Sequence, residues 1–150
     1  MDEAAVYAGW NVFHCGFVDT LVPCNQRSIN VIEEQLAKGA DIVFTHYPED
    51  SHQDHISTTK ATLAATRNSK NVLYYEGFTT LNFYPSIFVE LDSACLIHKM
   101  AALAKHASQV TKTNITGRHV LDMADANAIS RGIMARTKHA EGFVPVRLVY

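Results

Sequence analysis

The sequence predicts an α/β protein in which a mostly parallel, Rossmann-like sheet carries helices on its faces. Three observations predict it. Short β-branched runs alternate with longer segments of helical periodicity along the 150 residues. The run Asp41-Ile42-Val43-Phe44-Thr45-His46 follows a helical segment directly, as in a βαβ unit. No repeat, low-complexity tract or linker interrupts the alternation, so residues 1–150 are expected to form one domain.

The elements follow in order. Val12 to Val18, rich in Val, Phe and Cys between turn residues, reads as a short strand. From Ser28 to Lys38, Ile29, Ile32 and Leu36 recur at helical spacing, with Ser28 as N-cap and Gly39 as stop. Asp41 to His46 is then a strand buried on both faces. After the loop Tyr47 to Ser51, Asp54 caps a helix from His55 to Arg67, whose alanines and Leu63 favour that state. Asn71 to Glu76 is the next strand, and Ile87 to Leu91 alternates as an edge strand. Helices over Ala94 to Gln109 and Val120 to Met134 are marked by the stripes Leu96, Ile97, Met100, Leu103, Ala104, Ala107 and Leu121, Ala124, Ile129, Ile133. Val144 to Val149 is a last strand or an extended packing arm.

Composition narrows the function classes. With 47% hydrophobic and 19% charged residues the chain can bury a core. A net charge of −2 supplies no basic footprint for phosphates, which argues against nucleic acid as a partner. Cys15, Cys24 and Cys95 are widely spaced with no Cys-x-x-Cys pair, so neither a disulfide framework nor a zinc knuckle is expected. There is no signal-peptide pattern, and no apolar run approaches the roughly 20 residues of a membrane span. A soluble cytoplasmic protein is the expectation.

In open α/β sheets, ligands bind beyond the carboxyl ends of the strands. The loop after Asp41 to His46 lies at such an end and reads His46-Tyr47-Pro48-Glu49-Asp50-Ser51-His52-Gln53-Asp54-His55. Turn formation has no use for imidazole, so the density of histidines and acids points to binding. His52 and His55 are three residues apart and can project toward one point from the start of a helix. Asp54 between them can cap that helix or hold an imidazole through its ring N–H. A hydrolytic zinc site takes about three protein ligands and an open position for water, more than this loop alone offers.

Thr45-His46 followed by Pro48-x-Asp50-x-His52-x-Asp54-His55 resembles the second signature of the PIG-L or LmbE-like zinc N-deacetylases, which act on N-acetylglucosamine-type amino sugars. The resemblance extends to Val72 to Glu76, to Phe88 to Asp92 leading to Lys99, to His106-Ala107-Ser108-Gln109, and to Arg131-Gly132 with Ala140-Glu141-x-Phe143. Phe17-Val18-Asp19 is similar to an earlier loop of the sugar site. Gln53 stands where the family usually has proline. The family's opening strand, ending in His-Pro-Asp-Asp-Glu, is not found here, so the fold is expected to lack its first strand, helix and strand.

The resemblance implies a role for each matching residue. His55 is the metal ligand, with Zn2+ expected and other divalent cations chemically admissible. His52 stays unligated and steadies the oxyanion, and Asp54 orients a histidine. Asp50 and Asp19 face the sugar hydroxyls. The substrate implied is an N-acetylated amino sugar or its conjugate. The general base and two further ligands come from a segment not matched here. A sheet without its first strands leaves an open edge, so a homo-oligomer, or association with a chain carrying the missing segment, is expected. The alternative is a non-catalytic remnant of the fold that binds carbohydrate or a partner chain. His98, His106, Lys99 and Glu141 read as surface, packing or ion-pair residues, and His14 and the cysteines as packing.

Overall fold

The computed structural model describes residues 3–106 and 115–149. Among the described residues nine elements follow one another: α1 (Glu3–Ala8), α2 (Gln26–Leu36), β1 (Val43–His46), α3 (Gln53–Ala65), β2 (Val72–Tyr75), β3 (Ile87–Glu90), α4 (Ser93–Ala104), α5 (Val120–Ala135) and β4 (Ala140–Arg147). The strands form a mixed sheet in the order β1-β2-β4-β3. β1 and β2 pair in parallel, Val43 opposite Val72 through His46 opposite Tyr75. β4 runs antiparallel to β2, and its register shifts between Val72 and Leu73, where Pro145 brings no N–H to the ladder. Thus the tail is a strand inside the sheet rather than an arm, and β3 is an edge strand as expected.

Contacts divide the chain into two compact units: Met1–His14 with Phe88–Glu141, and Cys15–Ile87 with Gly142–Tyr150. The second carries the βαβ arrangement. Asn25, not Ser28, caps α2; Ser28 stands three residues on, and its hydroxyl accepts from the Asn25 N–H in a capping box. Gly39 takes φ +97 just beyond the helix, the left-handed backbone that stops it. Along β1 only Thr45 is fully buried, and Phe44 is 50% exposed beside Phe143. The expectation of burial on both faces fails because, among the described residues, α3 is the one helix that packs against β1. Val12 to Val18 is not a strand either. Gly16 at φ +68 turns the chain out of extended geometry, and Val12, Phe13 and Val18 are exposed.

In the first unit, α4 buries Ala102 and leaves Ile97 67% exposed. α5 buries Ala124, Ala128 and Gly132, while Ile129 and Ile133 face outward. The buried positions on both helices are therefore their smallest residues, and on α5 the backbone just after the helix comes close to Gly132. A Cβ added at Gly132 would lie 2.5 Å from the Lys138 carbonyl oxygen. Lys99 pairs with Glu141, the structural ion pair expected of them. The cysteines are free and exposed, which corrects their reading as packing residues. Ala107, Ser108 and Gln109, the predicted end of α4, fall outside the described residues.

Candidate metal-binding site

The loops after β1 and β2 lie side by side at the carboxyl ends of two parallel strands. Ser51 N donates to Thr79 O at 3.0 Å, Leu81 N to Glu49 O at 2.8 Å, and Asp50 and Thr80 form an isolated bridge. This pairing sets Thr79 and Thr80 beside the start of α3. The hydroxyl of Thr59 on α3 donates to the His46 carbonyl at 2.9 Å and ties helix to strand.

Asp50 is the hub. Its carboxylate, with no solvent exposure, accepts from His52 N at 2.7 Å and from the Thr80 hydroxyl at 3.1 Å, and lies 3.1 Å from His55 Nδ1. Burial pushes its pKa up, but the hydrogen bonds from Thr79, the His52 backbone, His55 and Thr80 outweigh that and hold the group below its ordinary value. The ionised carboxylate only accepts, so the ring it faces carries its proton on Nδ1. In the neutral ring His55 Nε2 then keeps its lone pair. That is the second-sphere arrangement by which carboxylates orient metal-binding imidazoles.

His52 is set the opposite way. It is the N-cap of α3, and its Nδ1 accepts from Asp54 N at 3.2 Å. A backbone amide can only donate, so the neutral His52 ring carries its proton on Nε2 and offers a donor there. Two imidazoles one helical turn apart thus hold complementary tautomers, 4.6 Å between ring centroids.

His46 completes the group. Its ring stacks on His55 at 3.7 Å with planes 7° apart, and its Nε2 lies 3.1 Å from the Tyr75 hydroxyl. Nδ1 is buried and has no hydrogen-bond partner among the described residues. Burial, with His55 and His52 nearby, lowers its pKa to about 4, so the ring is neutral at physiological pH. Burial and then Asp50 raise the pKa of Tyr75.

His46, Asp50 and His55 each offer a ligand atom, all within 4.8 Å of one another. They fit a cation only in part. A metal binds close to the plane of an imidazole, and no point lies in the planes of two rings stacked in parallel at 3.7 Å. His55 Nε2 is the donor this geometry prepares.

Asp54 behaves differently from expectation. It is the second residue of α3 rather than its cap, and its oxygens accept from Thr20 N at 2.7 Å and Val22 N at 3.1 Å. Its side chain thereby binds a distant turn instead of an imidazole. Asp19, beside Thr20, is exposed. The sequence reading missed Thr79, Thr80 and Tyr75 and gave His46 no role. The signal was available, since the loop after β2 also stands at the end of a parallel strand.

No family model matches the chain. It is 31% identical over 103 residues to the uncharacterized deacetylase YaiS of Escherichia coli K12, covering 63% of this chain and 56% of that protein. The chain thus spans about half the length of the curated relative it matches. Its fold matches the deacetylase Dbv21 of the A40926 pseudoaglycone, with a TM-score of 0.76 and 19% identity over 98% of this chain and 68% of that one. It matches equally the 4-carboxy-2-hydroxymuconate hydratase GalB of Pseudomonas putida KT2440, with a TM-score of 0.79 and 16% identity over 98% and 69%. The fold is the expected α/β architecture, shared with these solved structures, and the YaiS match is to a deacetylase over part of its length. Because a hydratase shares the fold, the chemistry must be argued from the site.

Proposed function

We propose that this chain forms part of a zinc-dependent deacetylase that removes the acetyl group from an N-acetylglucosamine-type amino sugar or its conjugate. The observation carrying this reading is the opposite bonding of two ring nitrogens: His55 Nδ1 faces the Asp50 carboxylate, whereas His52 Nδ1 accepts from Asp54 N. Amide hydrolysis needs a lone pair for a metal and an N–H for the carbonyl oxygen as it gains charge. His55 Nε2 offers the first, and the buried Asp50 carboxylate fixes its ring. His52 Nε2 offers the second, a contribution of about 3 kcal/mol for one well-placed donor. His55 would hold a divalent cation, which would supply a water-derived nucleophile near neutral pH. The general base and the remaining ligands are assigned to residues outside this cluster, since such sites take about three protein ligands. Asp50, bonded through both oxygens, acts as an orienting group in this reading rather than a sugar contact.

A second reading, a non-catalytic module that binds carbohydrate or a partner chain, is favoured by the parallel stack of His46 on His55, which leaves one prepared donor. No described helix is long and apolar enough to cross a membrane. Location in the cytoplasm and self-association through the open side of β1 remain part of the proposal. One experiment separates the readings: metal content after gel filtration, with acetate release from N-acetylglucosamine conjugates. Near-stoichiometric zinc with acetate release supports the deacetylase, whereas loss of metal and no acetate supports the binding module.

A further inference from the structure

We propose that Gln53 and Asp54 form a strap that fixes the turn at residues 18–22 as the rim of the site, so that position 54 governs substrate fit rather than proton transfer. Three hydrogen bonds carry this. Asp54, 8% exposed, accepts from Thr20 N at 2.7 Å and from Val22 N at 3.1 Å. Gln53 Nε2 donates to the Thr20 carbonyl oxygen. One dipeptide on the first turn of α3 therefore takes both backbone groups of Thr20 and the amide two residues on.

The turn needs such restraint. Thr20 sits at φ +67, a region that β-branched residues rarely occupy unless their surroundings fix them there. Leu21 N donates to Val18 O at 3.1 Å, and this turn is otherwise solvent-facing at Val18, Asp19, Thr20 and Leu21. The strap thus carries an exposed carboxylate and a hydroxyl to the helical turn that bears His52 and His55. Those groups suit a hydroxyl-rich substrate. Proline at position 53 would have no side-chain donor, so the Gln53 bond is a property of this sequence.

The rim's contact with substrate rests on the deacetylase reading above, while the strap does not. The test uses Asp54→Asn, nearly isosteric, and Gln53→Ala, in the full chain. Amide hydrogen exchange is expected to quicken about tenfold at Thr20 and Val22 in Asp54→Asn, and less, around the same turn, in Gln53→Ala. With an N-acetylglucosamine conjugate as probe, Asp54→Asn should raise KM about tenfold, with kcat within about twofold and zinc content unchanged. Unchanged exchange at Thr20 and Val22 overturns the strap. A fall in kcat at constant KM overturns the rim and returns Asp54 to proton chemistry. A wild-type chain that releases no acetate overturns the deacetylase reading, and exchange still decides the strap.

Discussion

His46, His52 and His55 form one trio of imidazoles, and His98, His106 and His119 another, yet among the described residues ring stacks on ring only in the first, although His98 and His106 line one cavity. In the first trio the rings stack at 3.7 and 4.6 Å, and a buried carboxylate sits on Nδ1 of His55. In the second, His98 lies edge-on to Tyr7, His106 follows the end of α4, and His119 precedes α5; all three are exposed. The lesson concerns what makes histidines a site. Number and spacing do not suffice; a buried acceptor that fixes a tautomer does.

Breaking the trio at its prepared donor should have the largest effect. His55→Ala is expected to abolish zinc-dependent acetate release and to lose the metal, whereas His52→Ala keeps the metal and slows turnover about 100-fold. Metal analysis beside kcat measurement checks both, and equal metal loss would show the two roles to be wrongly divided. Asp50→Asn comes next. Without the carboxylate on Nδ1 the His55 ring loses its fixed orientation, and zinc affinity should fall at least tenfold in a competition titration.

The buried position of His46 sharpens the contrast through pH. Its folded pKa of about 4 lies below the ordinary 6.5, so on acidification the unfolded chain takes up the proton first. The stability this residue contributes is complete above about pH 6.5 and is lost as pH falls toward 4. Urea unfolding across that window should show stability rising with pH, and His46→Gln should remove this part of the slope. The smallest effect belongs to the other trio. His98→Ala should change acetate release by less than about twofold, and a larger loss would mean that the two trios differ less than their geometry says.

The helical and strand segments of the βαβ half were legible because period and composition are local. Asn71 to Glu76 contains β2, and the loop beyond β1 holds the site, since parallel strands put ligands at that end. Boundaries were less legible: Asn25 takes the cap assigned to Ser28, because hydrogen-bond geometry rather than residue type chooses between neighbouring capping residues. The stripe on α5 misled because hydrophobicity does not measure how closely backbone approaches, and Gly132, against Lys138, does.

By itself the sequence determined the class of the fold, the strand that ends at His46 and the concentration of imidazole and carboxylate just after it. Those follow from side-chain chemistry and spacing along one segment. Only the tertiary structure decided what holds two of the acids of that loop. Asp50 meets Thr80 across 30 residues and Asp54 meets Thr20 across 34. A hydrogen bond needs a particular atom opposite, and no local pattern specifies an atom so far along the chain.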